Sequence, residues 1–487
     1  MKNLLPRLAA QAVFSLTLTS VALADPLPGE TEITFTPNTG EAVIAYEGRV
    51  SVPEHRADRQ SRTIELAYVR FPATGEGEGA PIVYLAGGPG GSGISTARGN
   101  RFPLFMAMRE HGDVIAFDQR GTGASTALPP CRSSVALDPR QRFSEAELTG
   151  AYRQAADECR AYWEGEGIAF AGYTTAESVA DLSALRAHLG AEQMTLWGIS
   201  YGSHLALAAI DAIPSELDRV MLASVEGLNQ TVKLPAQTDA FFDRVQAALE
   251  TQPAVAAAYP DLAGLMHRVH ARLEAEPLLL EWDAGEGRTG GLLLDRLAAQ
   301  RLAGAMISDP SRLPVLLAIY AELDAGGSVM TTGLVRRFVS GDPNISFRAM
   351  PLAMDVASGI SPDRLASVMA QAETSLLGLG LNFPMPQLNA LWADMDLGPE
   401  FRDGPFGDTP VLTLTGTLDG RTYPESQQEA VSGLTNVSRV TIVNAGHNLF
   451  MSTPEVTEIM HRFMRGEAGL PEEIIIPLPD FTRNPFQ

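Results

Sequence analysis

A serine stands between two glycines in the pentapeptide Gly198-Ile-Ser-Tyr-Gly202. The apolar run from Met194 to Trp197 precedes it, and the residues that follow repeat apolar side chains with helical spacing. A serine on a sharp turn from a strand to a helix needs small neighbours, because its Oγ must stand clear of the backbone. The order of strand, turn and helix therefore predicts that Ser200 is a nucleophile.

Such a serine needs a base that takes its proton, and the base needs an orienting carboxylate. In folds with this type of turn, the carboxylate and then the histidine follow the serine along the chain. His447 lies in a loop just after an apolar run that ends at Val443, so it is the predicted base. The other histidines after the serine are less suitable, since one is a single helical turn away and the rest occupy helices that read as exposed: His204, His267, His270 and His461.

The orienting carboxylate is expected in the loop after the preceding strand. Asp419 directly follows the apolar run from Val411 to Thr415. Two other aspartates come before this run and would lie at its opposite end: Asp403 and Asp408. An aspartate in a glycine-rich turn is often only a turn residue. Its order relative to Ser200 and His447 nevertheless predicts a catalytic triad.

Acyl transfer also needs hydrogen-bond donors for the oxyanion of the transition state. One donor is expected to be the N–H of Tyr201, the residue after the nucleophile, and the second an N–H in a loop after an early strand. The glycine-rich segment from Ala86 to Gly93 is such a loop, and Gly88 is the predicted second donor. The segment lacks the Lys-Ser/Thr ending of a phosphate-binding loop, and the chain has no HExxH motif or dinucleotide fingerprint. No metal or other cofactor is expected.

Short apolar runs alternate with helical patterns along most of the chain, which predicts a mostly parallel α/β sheet with helices on both faces. The strand pattern stops between about residues 226 and 395, where helical spacing dominates except for a β-like hairpin at 278–282 and 291–294. Because strands resume afterwards, a mainly helical cap is favoured over a separate helical domain. The predicted divisions are a leader of residues 1–24, a core of residues 25–225, a cap of residues 226–395 and the rest of the core in residues 396–487.

The leader has the pattern of a signal peptide. Lys2 and Arg7 precede a short apolar stretch, and Ala22-Leu-Ala24 fits the small-residue cleavage rule. We expect cleavage after Ala24 and a periplasmic or secreted protein without stable membrane association. In such an oxidising compartment Cys131 and Cys159 predict a disulfide, with two buried thiols as the alternative.

The formal net charge of −22 disfavours nucleic acid and anionic lipid as partners, since both are negatively charged. Hydrophobic residues make up 45% of the 487 residues, which is enough for a globular enzyme with a large core. A peptide or a small molecule is therefore the expected partner, as substrate. The sequence does not indicate the oligomeric state.

Several motifs together resemble the proline iminopeptidase and tripeptidyl aminopeptidase group of α/β-hydrolases: Gly87-Gly-Pro-Gly90, Asp118-Gln-Arg-Gly-Thr-Gly-Ala-Ser125, the Ser200 turn, Gly416-Thr-Leu-Asp419 and Gly446-His447. The resemblance covers most of residues 44–225 and 405–465 and is weakest in the cap. Iminopeptidases usually have a histidine before the Gly-Gly-Pro-Gly loop, whereas this chain has Ala86. That departure loosens the link to proline specificity and leaves the triad intact.

The resemblance implies hydrolysis at the N-terminal end of peptides. An aminopeptidase must hold the substrate ammonium, which requires a carboxylate near the cleft. Glu226 follows a strand at the sheet edge where sites form, and it is the candidate, with a solvated loop glutamate as an equal alternative. The same machinery would serve an esterase or amidase for small molecules, and carboxylates beneath the cap would favour the peptidase. A non-catalytic binding protein is disfavoured by the complete set of triad and oxyanion candidates.

Overall fold

The computed structural model describes residues 25–75, 79–285, 287–338 and 342–483. The strands are β1 (Thr31–Phe35), β2 (Val43–Pro53), β3 (Thr63–Phe71), β4 (Ile82–Leu85), β5 (Val114–Phe117), β6 (Cys131–Ala136), β7 (Met194–Ser200), β8 (Leu217–Val225), β9 (Leu278–Asp283), β10 (Thr289–Leu294), β11 (Asn344–Phe347), β12 (Val411–Gly416), β13 (Val437–Val443) and β14 (Glu473–Ile475). The helices are α1 (Gly93–Arg98), α2 (Phe102–Met108), α3 (Glu145–Gly165), α4 (Thr175–His188), α5 (Tyr201–Ala212), α6 (Pro235–Glu250), α7 (Pro253–Ala258), α8 (Leu262–Ala275), α9 (Arg296–Gly304), α10 (Leu313–Asp324), α11 (Val329–Phe338), α12 (Ala349–Ser358), α13 (Pro362–Ala372), α14 (Met385–Leu388), α15 (Gly398–Asp403), α16 (Pro424–Ala430) and α17 (Pro454–Met464).

Ten of the strands form one sheet, in the order β1-β2-β3-β5-β4-β7-β8-β12-β13-β14. The first four strands in that order pair antiparallel, and from β5 onward neighbouring strands are parallel. The central strands are buried on both faces, so they stand out in the sequence as continuous apolar runs. The predicted mostly parallel sheet is confirmed. Its outermost strands, β1 and β14, are short and largely exposed, and the apolar pattern does not predict them.

Helices cover both faces of this sheet. One apolar core packs α1, α2 and α17 against one face, through side chains such as Phe105 and Ile459. A second core packs α4 and α5 against the other face, through side chains such as Leu182 and Leu205. Because both faces are closed in this way, the carboxyl edge of the parallel strands is where loops from several strands meet.

The chain between β8 and β12 is mainly helical and runs from α6 to α15. Its predicted hairpin is present, as β9 and β10 pair antiparallel. One part of it returns to the core, since β11 pairs antiparallel with β6. The predicted disulfide between Cys131 and Cys159 is also present and ties β6 to α3 beside this junction. The insertion is therefore attached to the core through a second small sheet as well as through its two ends.

The motif that begins at Asp118 fixes the glycine-rich loop in place. The Asp118 carboxylate accepts hydrogen bonds from the Ser92 hydroxyl (2.7 Å) and from the backbone N–H groups of Ile94 (3.1 Å) and Ala124 (2.7 Å). A Cβ on Gly123 would lie 1.9 Å from this carboxylate, so only glycine fits there. One buried aspartate thus joins the end of β5 to the loop in which the oxyanion donor is predicted.

The predicted signal peptide lies outside the described residues. Within the part of the chain that the structure covers, none of the helices combines the length and the apolar character needed to cross a membrane. The domain boundaries proposed from the sequence remain predictions.

Candidate active site

Ser200 ends β7 and directly precedes α5, in a backbone conformation that side chains rarely adopt (φ 55°, ψ −128°). The turn is closely packed, because a Cβ on Gly198 would lie 2.5 Å from the Gly202 carbonyl oxygen and one on Gly202 would lie 2.1 Å from the Leu85 carbonyl oxygen. Ser203 donates a 2.5 Å hydrogen bond to the Ser200 carbonyl and so closes the turn. Strain held by such packing is typical of a nucleophile elbow.

His447 and Asp419 form a hydrogen-bonded pair. The Nδ1 atom of His447 lies 2.9 Å from Oδ2 and 3.1 Å from Oδ1 of Asp419. Burial alone would raise the pKa of Asp419, but the histidine, the Thr422 hydroxyl and the Arg421 N–H outweigh burial and lower it. The carboxylate therefore stays ionised and fixes the imidazole with Nδ1–H toward itself, which leaves Nε2 free to act as a base.

Two further contacts hold the histidine loop over the sheet edge. The backbone N–H of His447 donates to the Ser308 carbonyl (2.8 Å), and its carbonyl accepts from the Ser224 hydroxyl (2.6 Å). Ser224 lies near the end of β8 and, like Ser200, has a positive φ (51°). The end of β8, the insertion and the loops after β12 and β13 thus contribute to the position of one imidazole.

The glycine-rich loop lies directly against the nucleophile. A Cβ on Gly87 would be 3.0 Å from Cβ and 3.6 Å from Oγ of Ser200. Gln119 donates a 3.1 Å hydrogen bond to the carbonyl of Ala86 and holds the start of this loop. Gly88 follows with φ 129°, a conformation that favours glycine, and Tyr201 is the first residue of α5. The two predicted oxyanion donors therefore lie on the two segments that flank Ser200.

Ser200, His447 and Gly88 line one cavity of about 900 Å³. Glu226 and Asp355 line the same cavity, and apolar side chains cover much of the remaining wall. The volume suits a short peptide or a molecule of similar size. Glu226 is the carboxylate that the sequence predicts near the cleft, and Asp355 is a second one that the structure reveals.

Glu226 is mostly buried and forms a 2.9 Å ion pair with Lys233. Burial would raise the pKa of Glu226, but Lys233, His204 and Arg421 together outweigh burial and lower the pKa. The negative charge of Glu226 is therefore compensated before any substrate enters. A solvated loop glutamate, the alternative reading of the sequence, does not describe this residue.

Asp355 is a partly buried carboxylate of α12 that the sequence analysis did not identify. Burial and the charge of Glu226 raise the pKa of Asp355 to about 7, against the opposing effect of Lys233. Among the described residues its carboxylate has no hydrogen-bond or ion-pair partner. The one signal in the sequence is a single acidic residue in a helix that is otherwise apolar, Ala349 to Ser358.

Asp355→Asn is expected to stabilise the protein increasingly as the pH rises from about 4 to about 7. The folded pKa of about 7 lies above the unfolded value near 3.9, so the folded state loses stability as pH rises through that window. The amide does not ionise and avoids a loss of up to roughly 1.4 kcal/mol per pH unit. Urea unfolding at several pH values measures the difference, with the exposed Asp403→Asn as control. A difference that is flat from pH 4 to pH 7 would contradict the raised pKa.

The remaining histidines lie outside this site. His204 is fully buried in α5 and contacts the Gly227 carbonyl (3.1 Å) and the Ser358 hydroxyl (3.0 Å). The expectation of an exposed His270 is wrong, since it is buried and lies 2.7 Å from the Tyr320 hydroxyl. His461, on α17, packs against His111, and its Nδ1 atom lies 2.8 Å from Nε2 of His111. His447 is thus the histidine that lines the cavity with Ser200.

Comparison with known proteins agrees with this architecture. Residues 80–282 match the family model described as the alpha/beta hydrolase fold. The serine protease Hip1 of Mycobacterium tuberculosis is 31% identical over 183 residues, which are 36% of this chain and 35% of that protein. The tripeptidyl aminopeptidase of Streptomyces lividans is 30% identical over 193 residues, which are 37% of this chain and 35% of that protein. The matches thus span about a third of the length of these relatives.

A crystal structure of the proline iminopeptidase of Mycobacterium smegmatis superposes with a TM-score of 0.41 and 17% identity, covering 86% of this chain and 98% of that one. The sheet order, the glycine-flanked serine and the matched segment are independent observations of one architecture. By these three features residues 80–282 have the α/β-hydrolase fold, with a serine at the turn between β7 and α5.

Proposed function

We propose that this α/β-hydrolase is an exported aminopeptidase that releases N-terminal residues or short peptides through an acyl-enzyme. In this mechanism His447 takes the proton of Ser200 as Oγ attacks the peptide carbonyl. The same imidazole then protonates the leaving amine, and water activated by it hydrolyses the ester. The N–H groups of Gly88 and Tyr201 hold the oxyanion during both steps.

The observation that carries the proposal is the presence of carboxylates in the nucleophile's own cavity. Asp355 has no cationic partner within the described residues, and Glu226 lies close enough for its charge to raise the pKa of Asp355. A substrate ammonium placed beside Asp355 would supply the positive charge that this partly buried carboxylate lacks. We therefore assign Asp355, supported by Glu226, to the substrate ammonium.

The alternative is an esterase or amidase that uses the same triad on small molecules. Such an enzyme would need an acyl pocket and no cation site, because its substrates lack an ammonium group. The unpaired, partly buried carboxylate of Asp355 in the nucleophile's cavity would then carry an energetic cost without a function. Because only the peptidase gives this carboxylate a role, the peptidase is favoured over the esterase.

The test compares alanyl, prolyl and tripeptidyl anilides with a free amino group against their N-acetylated forms and a short-chain aryl ester. We expect kcat/KM for free-amino substrates to exceed that of the acetylated ones by about 100-fold or more, since a buried charged contact is lost on acetylation. Asp355→Asn is expected to remove most of this preference, mainly through KM. The ester has no ammonium and reports whether the triad of the variant is intact.

Ester cleavage without turnover of any free-amino peptide would reject the aminopeptidase and leave the esterase. Equal cleavage of free-amino and acetylated peptides would reject ammonium recognition and indicate an endopeptidase. For export, mass spectrometry of the protein from the outer compartment of its host is expected to find Asp25 at the N-terminus.

A further inference from the structure

The helix α12 lies along the cavity and presents one face to it. Arg348, which directly precedes the helix, and Pro351, Leu352 and Asp355 all line the cavity. Their spacing of three, four and seven residues places them on one side of a helix. The face therefore carries a guanidinium at one end, a carboxylate at the other and an apolar surface between them.

Arg348 lies beside the far end of the glycine-rich loop. A Cβ on Gly90 would be 3.5 Å from both terminal nitrogens of its guanidinium. The start of the same loop, at Gly87, contacts Ser200. The loop thus reaches from the nucleophile to this guanidinium. A group bound by Arg348 would therefore lie in the same cavity as the nucleophile, at the other end of the glycine-rich loop.

Arg348 also differs from two other cations of the cavity, Lys233 and Arg101, which are already bound. Lys233 is paired with Glu226 at 2.9 Å, and Arg101 is bound by Tyr84 and Asn448. Arg421 lies near enough to Glu226 for its charge to lower the pKa of that residue. Within the described residues, no hydrogen bond or ion pair holds the exposed Arg348 guanidinium. The exposed guanidinium of Arg348, on the same helix face as Asp355, is thus available to an anionic part of a substrate.

The backbones of the two charged residues are separated along the helix by the length of a short peptide. Arg348 caps α12 and Asp355 is its seventh residue, so a rise of 1.5 Å per residue places their backbones about 10 Å apart along the axis. An extended peptide spans roughly 3.3–3.6 Å per residue, so about three residues bridge this distance. A free peptide of that length carries an ammonium at one end, which can pair with Asp355. Its carboxylate at the other end can pair with Arg348.

We propose that Arg348 binds the C-terminal carboxylate of short free peptides, and that peptides of about three residues are the preferred substrates. The inference rests on the proposed aminopeptidase function, in which Asp355 holds the ammonium. When Ser200 forms its bond to the carbonyl carbon, the C–N bond breaks and the leaving amine takes its proton from His447. The departing fragment keeps its carboxylate on Arg348 until it dissociates, while water completes the hydrolysis of the acyl-enzyme.

The test uses trialanine and trialaninamide, which share the free amino group and differ at the C-terminus. We expect kcat/KM for the acid to be about 10-fold to 100-fold higher, because a charge-assisted contact to Arg348 is lost in the amide. Alanine peptide acids of two to five residues are expected to show a maximum near three. The full mature chain is used as the enzyme, and mass spectrometry measures the peptide products that it releases.

Arg348→Gln is expected to lower the rate for trialanine to that for trialaninamide and to leave the amide rate unchanged, while Arg348→Lys restores part of the preference. Equal wild-type rates for acid and amide would overturn the inference and leave the aminopeptidase standing. A preference that survives Arg348→Gln, or that is lost only in Arg421→Gln, would also overturn it. Failure to cleave any free-amino peptide or anilide would instead reject the aminopeptidase itself.

Discussion

Ser200→Ala is expected to lower kcat by roughly a million-fold, which leaves only the catalysis provided by binding and the oxyanion donors. The substitution removes the Oγ atom that forms the acyl-enzyme. It retains Cβ, so the positive φ of this position costs the same in both proteins. Hydrolysis of a free-amino anilide and labelling by a fluorescent serine-directed phosphonate both measure the loss.

Ser346→Ala is the matched control for this variant. Ser346 lines the same cavity but belongs to β11, away from the elbow. We expect its substitution to leave phosphonate labelling intact and the rate within a few-fold of the wild type. Thermal unfolding of both variants verifies that each is folded. Labelling or turnover that persists in Ser200→Ala would place the nucleophile elsewhere and remove the basis of the proposed mechanism.

The residues that the sequence predicts best are those whose chemistry depends on a local turn. Ser200 needs a strand before it, a helix after it and glycines on both sides, and all of these lie within a few residues of chain. The parallel strands are predicted equally well, because strands that are buried on both faces consist of uninterrupted apolar runs. Asp419 and His447 follow from strand order, since the loops after β12 and β13 meet at the edge where β7 ends.

Residues of the insertion could not be predicted in this way. The proposed roles of Asp355 and Arg348 depend on the position of α12 over the cavity. No local sequence motif predicts where a helix of a cap will lie. Their spacing shows only that they share a helix face. Which face meets the cavity depends on contacts with α3 and α4, which are distant in sequence. The pairing of β6 with β11, about 210 residues apart, escapes prediction for the same reason.

The sequence predicts where Glu226 lies, but it does not predict the ion pair that determines what Glu226 can do. Its place after β8 follows from the strand pattern, and the structure brings it into the cavity. Its partner Lys233 is seven residues further along an irregular segment, where no periodicity predicts a contact. The pair is close to neutral, so Glu226 acts on a substrate mostly through Asp355, whose pKa it raises. The carboxylate that the sequence overlooks is therefore the better candidate for the ammonium.

The hydrogen bonds around Asp419 decide what an amide would do in its place. Oδ1 accepts from the backbone N–H groups of Arg421 (2.8 Å) and Thr422 (3.0 Å), so the oxygen of an asparagine would take this position. Its NH₂ group would then occupy the Oδ2 position, 2.9 Å from Nδ1 of His447, while the Thr422 hydroxyl turns to accept. Nδ1 would have to act as an acceptor, and the imidazole proton would move to Nε2.

Asp419→Asn is therefore expected to lower kcat by about 10,000-fold near neutral pH, because Nε2–H cannot take the proton of Ser200. KM for a free-amino anilide is expected to change little, since Asp355 and Glu226 are untouched. Steady-state kinetics measures both constants, and Asp408→Asn, which lies before β12 at its other end, is the matched control. A loss of less than about 10-fold would show that His447 keeps its tautomer without this carboxylate. A rise in KM with kcat unchanged would move Asp419 from orienting the base to binding the substrate.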